Sequence, residues 1–188
     1  MHCLQCVLWL CLTLFVFPDQ CTSTQNHEPL IRIVNIEHAT IVCKNTFEDT
    51  RVALEASLPP INTTYSTLLA AGDVAGAFQA LQSLPVLNAF IVPPRNFGSL
   101  LGTLNKTGKA VQYEIGNSYT ATQMNYFELG ISLYAPIRVL LREKEGTAII
   151  EYDRPRSTMG QFGNDEVDKI AQELDRNLSA LLMNAAGW

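Results

Sequence analysis

The sequence has little positive charge and no hydrophobic run long enough to cross a bilayer. It holds 13 Lys and Arg against 18 Asp and Glu in 188 residues, a formal net charge of −5. Nucleic-acid-binding proteins usually carry a basic surface, so the composition argues against a nucleic-acid partner. With 47% hydrophobic residues the chain is too apolar to be intrinsically disordered, and its length is typical of one domain.

The longest apolar run lies at the N-terminus. From Cys6 to Phe17, twelve residues include one polar side chain, and Pro18 ends the run. A transmembrane helix needs about 20 apolar residues, whereas the apolar region of a signal peptide needs about 7–15. Small residues at 21–23 then fit a cleavage site. We therefore predict a secretory signal peptide over residues 1–23, secretion to the extracellular space and no stable membrane span after processing. The run is not preceded by any Lys or Arg, which leaves an uncleaved anchor or a buried core segment as the alternatives.

Cleavage at this site would remove four of the five cysteines and leave Cys43 alone in 165 residues with a net charge of −4. An intrachain disulfide framework is then impossible, although cleavage before Cys21 would permit a Cys21–Cys43 bridge. His27, His38 and Cys43 do not have the spacing of a zinc motif, and no phosphate-binding loop is present. We predict no metal and no cofactor.

Three sequons agree with a secretory route, at Asn62, Asn105 and Asn177. The first two lie in polar stretches that are typical of loops. The third falls inside a predicted helix and is the weaker glycosylation candidate.

Hydrophobic periodicity predicts an antiparallel sheet in the second half of the chain. Residues 109–115 and 137–141 alternate between apolar and polar side chains, and 147–152 follows after a tight turn, as in a hairpin. A β-branched stretch over 31–43 predicts one long or interrupted strand, and 88–92 predicts a short one.

Helix signals surround these strands. Thr46 and Asp73 are candidate N-caps, 118–127 has the pattern of a short helix, and Asn164 precedes an acidic first turn and a long apolar stripe. Because strands and helices do not alternate, we predict the α+β class, as a single compact domain over residues 24–188. A largely antiparallel sheet is expected to be covered by helices on one face.

Polar side chains concentrate between positions 113 and 153. One interpretation makes them structural, with Glu114 pairing with Arg138 across two strands and Arg142 pairing with Glu151 in the hairpin. The other interpretation is a pocket at the end of the sheet, with tyrosines as flat walls. The ligand-binding candidates are then Tyr113, Asn117, Tyr126 and Tyr152. The weaker catalytic candidates are Glu114, Tyr134 and Arg138.

Three ordered blocks of the sequence, at 113–124 (YEIGNSYTATQM), 132–143 (SLYAPIRVLLRE) and 148–163 (AIIEYDRPRSTMGQFG), resemble domain-of-unknown-function family 302. Members share a strand ending in G-N-P, a small-residue helix with Met, an L-Y-x-P-x-[KR]-V-L strand and a Y-D-x-P turn. The chain departs from this pattern at Ser118, where proline is usual. The resemblance implies a compact α+β domain that is often dimeric in relatives, and it implies no reaction.

The sequence leaves three functions open. The first is a secreted binding or accessory protein for a small, partly apolar molecule, because the chain is apolar, rich in tyrosine and without a catalytic motif. The second is a small secreted isomerase, cyclase or hydrolase that uses Glu, Tyr and Arg side chains. The third is an interaction module that works as a homodimer.

Overall fold

The structure is a computed structural model that describes residues 29–188. Within that range, six strands form one sheet in which all neighbours are antiparallel. The strands are β1 (His38–Val42), β2 (Asn88–Ala89), β3 (Arg95–Asn96), β4 (Ala110–Gly116), β5 (Ile137–Lys144) and β6 (Thr147–Asp153). Their order across the sheet is β1-β6-β5-β4-β2, with β3 also paired to β4.

The period-2 pattern of the sequence sets the two faces of this sheet. Tyr113 on β4 lies opposite Val139 on β5, which lies opposite Tyr152 on β6, and all three are buried. The intervening side chains of the same strands point to the opposite face, which is polar and partly exposed. Glu145 and Gly146 both have positive φ, the geometry of a two-residue hairpin turn, and they join β5 to β6.

Helices cover the apolar face of the sheet. The α-helices of the described chain are α1 (Phe47–Ser57), α2 (Thr64–Ala70), α3 (Val74–Gln82), α4 (Phe97–Leu100), α5 (Ser118–Phe127), α6 (Pro155–Met159) and α7 (Asp165–Ala185). Helical turns of the 3-10 type occupy Leu101–Leu104, Leu129–Tyr134 and Gly160–Phe162. Both α1 and α7 contribute to the core, with Leu54, Leu178 and Leu182 fully buried. By contrast, α2 buries no side chain.

The predicted N-caps are present. Asn164 Oδ1 accepts hydrogen bonds from the backbone N–H groups of Glu166 and Val167, at 3.0 and 3.2 Å, and so begins α7. The hydroxyl of Thr46 accepts from the N–H of residue 49, and the Asp73 carboxylate accepts from that of residue 76.

The prediction of one strand from 31 to 43 is wrong in its first part. The β1 ladder begins at His38, which pairs with Asp153, the last residue of β6. One more backbone hydrogen bond follows, from the N–H of Arg154 to the Glu37 carbonyl oxygen at 2.9 Å, and Pro155 then starts α6, which ends the pairing. The strand predicted over 88–92 is likewise reduced to the two residues of β2.

The fold class is confirmed: residues 34–188 form one compact α+β unit with a helix-covered antiparallel sheet. Residues 29–33 carry no helix or strand. The predicted signal peptide, residues 1–23, lies outside the described residues. Within the described range, no helix combines the length and apolar character that crossing a membrane requires.

Candidate functional site

A cavity of about 300 Å³ opens at the end of the sheet where β4 ends and β5 begins. Its floor is apolar and includes Ile115 and Ile137 from the two strands and Met124 from α5, all buried. Met159 of α6 and Leu174 of α7 close it from the helical layer. The cavity is therefore walled by the main hydrophobic core on its inner side.

The rim of this cavity is made of hydroxyl and amide groups. The Tyr65 hydroxyl lies 2.9 Å from that of Ser118, which joins α2 to the start of α5. On the other side, the Ser132 hydroxyl donates to Asn125 Oδ1 at 2.9 Å. None of the residues that line the cavity carries a charged side chain. The site thus offers apolar contact and neutral hydrogen-bonding groups.

Asn117 holds the framework of the site together. Its Oδ1 accepts from the N–H of Thr120 at 3.0 Å, which makes it the N-cap of α5. Its Nδ2 donates to the carbonyl oxygen of Pro85 at 2.6 Å, which ties the segment after α3 to the end of the sheet. Both polar atoms of this buried side chain are used, so its orientation is fixed.

A second cavity, also of about 300 Å³, lies on the other side of Asn117. The two cavities share Asn117, Thr120 and Leu174 as a common wall. The second one is more polar, because its lining includes the Glu173 carboxylate and the Asn177 amide.

The structure brings only one of the four ligand-binding candidates into the first cavity, namely Asn117. Tyr113 lies in the core, where its hydroxyl donates to Glu55 Oε1 at 3.2 Å and burial raises its pKa above the ordinary value. Tyr152 is also buried, and its pKa is raised for the same reason. Tyr126 is 85% exposed on the surface of α5.

The aromatic side chains that do line the cavity are Tyr65 and Phe90. Both belong to the middle of the chain, where the sequence shows no clear periodicity. The strand pattern does indicate that Tyr113 and Tyr152 are core residues and do not line a cavity. Each lies in phase with the buried apolar positions of its strand.

The three catalytic candidates lie outside the cavity. Glu114 is on the polar face of the sheet, where Arg95 Nη1 lies 2.5 Å from Glu114 Oε1. Arg138 lies opposite Glu114 in the β4–β5 register, as the sequence suggested, but the ion pair that Glu114 makes is with Arg95. Tyr134 packs edge-on against Phe162 with ring centroids 6.3 Å apart. Tyr134 and Arg138 both line a separate, smaller cavity of about 50 Å³.

The hairpin ion pair is present as expected. Arg142 donates from Nε and Nη2 to the two carboxylate oxygens of Glu151, at 2.6 and 2.7 Å. These hydrogen bonds lower the pKa of Glu151 below its ordinary value, against the opposing effect of partial burial. Ion pairs therefore connect neighbouring strands on the polar face of the sheet. This supports the interpretation of Glu114, Arg142 and Glu151 as structural residues.

The candidate metal ligands are separated. His38 Nδ1 lies 2.8 Å from the Asp153 carboxylate on the exposed edge of the sheet. Cys43 is buried as a free thiol, and its pKa is raised by desolvation. Among residues 29–188, no group of three His, Cys, Asp or Glu side chains is placed to bind a metal ion. His27 lies outside the described residues.

A larger, charged cleft of about 620 Å³ lies between α1 and the segment around Pro93. Each of its charged side chains already takes part in an ion pair. Arg51 contacts Glu48 at 2.9 Å and Glu55 at 3.2 Å, and Lys109 contacts a carboxylate of β5 at 2.8 Å. A ligand here would have to displace existing ion pairs.

The three sequons differ in their surroundings. Asn62 and Asn105 are exposed outside regular helices and strands, and Asn105 has a left-handed backbone with φ of 55°. Asn177 is half-buried within α7 and lines the second cavity.

Comparison with known proteins agrees with the resemblance seen in the sequence. The family model of domain of unknown function DUF302 matches residues 101–185 of this chain. The crystal structure of an uncharacterized conserved DUF302 protein from Bacillus stearothermophilus is similar, with a TM-score of 0.57 and 15% sequence identity. The similarity covers 79% of this chain and 97% of that chain, and at this identity it concerns the fold alone. No curated protein matches the chain.

The family match includes most of the cavity but not all of it. The floor and the rim from Ile115 to Leu174 lie within the matched residues, whereas Tyr65 and Phe90 precede them. This chain therefore completes the cavity with residues from outside the region that the family model matches.

Proposed function

We propose that this protein binds a small, uncharged, partly apolar molecule in the cavity at the end of the sheet, and that it does so as a secreted protein. The observation that carries this proposal is the lining of the cavity. It combines a buried apolar floor with neutral hydroxyl and amide groups at the rim, and it contains no charged side chain.

The chemistry of the lining selects the ligand class. A charged ligand would lose hydration on entering the cavity and would find no counter-charge, which is costly in an apolar surrounding. For a neutral ligand, the main cost is the loss of hydrogen bonds between its polar groups and water. The hydroxyl groups of Tyr65, Ser118 and Ser132 can replace these hydrogen bonds. A volume of about 300 Å³ is at the lower end of the usual range for ligand pockets, so the molecule is small.

The test is native mass spectrometry of the protein purified from the culture medium of secreting cells, followed by thermal unfolding with matched ligand pairs. Each pair consists of a neutral molecule and its carboxylate analogue, for example an aryl alcohol and the corresponding acid. We expect the neutral member to raise the melting temperature and the acid to have little effect. Equal effects of both members, or no stabilisation by any neutral compound together with ligand-free spectra, would contradict the proposal.

A matched pair of variants ties any binding to this cavity. Ala121 lines the cavity on α5, whereas Ala180 is exposed on α7 and lines none of the cavities described above. Ala121→Phe fills the space and should abolish stabilisation by the neutral ligand. Ala180→Phe makes the same change on the surface and should leave it intact.

A further inference from the structure

The second cavity, on the other side of Asn117 from the first, contains a single charged group. Glu173 of α7 is the only Asp, Glu, Lys, Arg or His among the residues that line it. Within residues 29–188, the Glu173 carboxylate takes part in no hydrogen bond and no ion pair. The second cavity therefore offers a free negative charge, whereas the first cavity has no charged side chain in its lining.

The basic residues nearest to Glu173 along α7 do not neutralise this charge. Residues three or four apart share a helix face, so Lys169 and Arg176 are at the positions from which an ion pair would be expected. Lys169 Nζ instead contacts the Glu166 carboxylate at 2.7 Å. Arg176 is exposed and makes no ion pair with Glu173. The carboxylate is therefore open to a ligand.

Apolar and aromatic side chains form the wall beside this carboxylate. Leu174 of α7 is buried, and Val86, in the segment after α3, is 63% exposed. Tyr119 of α5 adds an aromatic ring to the lining. A ligand in this cavity would therefore remove apolar surface of the protein from water, which favours an apolar body.

A neutral acceptor lies next to the carboxylate. Asn177 follows Glu173 by four residues, and both line the cavity from α7. Within the described part of the chain, the side-chain amide of Asn177 makes no hydrogen bond. Its oxygen can therefore accept a hydrogen bond from the same donor group that contacts Glu173.

We infer that the second cavity binds a small organic ammonium ion, with the charged head at Glu173 and Asn177 and the apolar body beside Val86 and Leu174. An ammonium group donates charge-assisted hydrogen bonds to a carboxylate, and aromatic rings attract cations. A metal ion is a poorer match, because Ca²⁺ takes about six to eight oxygen ligands and the lining offers one carboxylate. This site is separate from that of the neutral ligand and does not depend on it.

The exposure of Glu173 sets the strength of binding. The ammonium head keeps part of its hydration at the cavity mouth, which limits both the desolvation cost and the gain from the ion pair. Salt should therefore weaken binding without abolishing it, since the contact between the apolar body and the wall does not depend on charge.

Three probes that share a phenyl ring and differ in charge test the inference: phenethylamine, phenethyl alcohol and phenylacetate. Each is titrated into the purified secreted protein and followed by amide NMR spectra. The titrations are repeated in Ala121→Phe, because Ala121 lines only the first cavity and the larger side chain excludes the alcohol from it. In this variant we expect the amine to bind, and the alcohol and the acid to bind about tenfold more weakly or less.

A matched pair of variants assigns the charge. Glu173→Gln keeps the shape of the side chain and should weaken binding of phenethylamine about tenfold. Asp165→Asn removes the same charge at an exposed position of α7 that lines none of the cavities described above, and it should leave binding unchanged. Both positions are exposed, so neither substitution removes a core contact.

The amide signals locate the site. Addition of the amine should shift the signals of Gln123, Glu173 and Asn177 and leave that of Ser132, on the rim of the first cavity, unchanged. No binding of the amine, equal binding of the three probes in Ala121→Phe, or an equal loss in Asp165→Asn would overturn the inference. So would an amine that binds the wild type but not Ala121→Phe, because it would then occupy the first cavity.

The two proposals fail separately. Failure of the amine to bind leaves the neutral ligand of the first cavity standing. Failure of every neutral compound to bind leaves the ammonium site standing if the amine still shifts the signals of the second cavity.

Discussion

Arg154 donates in a fork to the carboxylate of Asp175, and this pair joins the end of β6 to the middle of α7. The Asp175 side chain is almost fully buried, whereas Arg154 is partly exposed and also contacts Glu37 at 2.8 Å. The Nε atom of Arg154 lies 3.0 Å from Asp175 Oδ2. The pair therefore fixes the longest helix to the sheet at the edge where β1 joins.

Removing Arg154 should destabilise the fold, because it leaves a buried carboxylate without its partner. For Arg154→Met we expect a loss of about 2–3 kcal/mol in the free energy of unfolding, below the range for fully buried pairs since Arg154 is partly in water. Urea denaturation measures the change. Arg176→Met, at an exposed position of the same helix, serves as the control and should cost less than about 0.5 kcal/mol. Equal losses in the two variants would show that the pair does not anchor α7.

The two roles of Asn117 can be separated by substitution. Asn117→Ser keeps an oxygen that can cap α5 but loses the donor to the Pro85 carbonyl, whereas Asn117→Ala loses both. We expect about 2 kcal/mol of destabilisation for alanine and about half of that for serine. Denaturant unfolding distinguishes them, and indistinguishable values for serine and alanine would argue against the capping role.

The Arg142–Glu151 pair predicts a pH dependence. The pKa of Glu151 is lower in the folded protein than its ordinary value of 4.5, chiefly because Arg142 hydrogen-bonds to the carboxylate. The pair therefore stabilises the fold above pH 4.5, and this contribution is lost as the pH falls through the lowered pKa. Glu151→Gln and Arg142→Gln should both be less stable than the wild type at about pH 6 and closer to it at about pH 3. A stability difference that stays constant between the two pH values would refute this assignment.

The sequons give a prediction about modification on the secretory route. Asn62 and Asn105 are exposed outside helices and strands, while Asn177 is half-buried in α7. Protein secreted from eukaryotic cells should lose one glycan in each of Asn62→Gln and Asn105→Gln and none in Asn177→Gln. The intact mass of each variant before and after enzymatic deglycosylation gives the number of glycans that it carries. A glycan lost in Asn177→Gln, or an unmodified wild type, would contradict the prediction.

The parts of the fold that could be predicted are those where one chain segment carries its own pattern. The bounds of β4, β5, β6 and α5 were predicted to within three residues. Alternating burial and an N-cap depend on neighbouring residues in the sequence, so the sequence shows them directly. By contrast, α2 buries no side chain, so its sequence has no helical hydrophobic periodicity from which the helix could be predicted. The length of β1 depends on where β6 ends, at Asp153, more than a hundred residues away.

The candidate site was predictable only in its location. Asn117 follows a strand and a glycine, which places it at the sheet end, and the structure confirms that position. The aromatic part of the cavity lining comes from Tyr65 on α2 and from Phe90, which follows β2 and reaches the site because β2 pairs with β4. No spacing in the sequence connects these residues with the end of β4, so this part of the cavity lining could not be derived from it.

The pairing of β1 with β6 also constrains the order in which the chain can fold. His38 and Asp153 are 115 residues apart, whereas β5 and β6 are joined by a two-residue turn. The hairpin closes a short loop at small entropic cost, whereas pairing β1 with β6 closes a loop of more than a hundred residues at a larger entropic cost. In pulse-labelling hydrogen exchange during refolding, the amides of β5 and β6 should become protected before those of β1. We therefore expect β1, the strand that comes first in the described chain, to be the last to join the sheet.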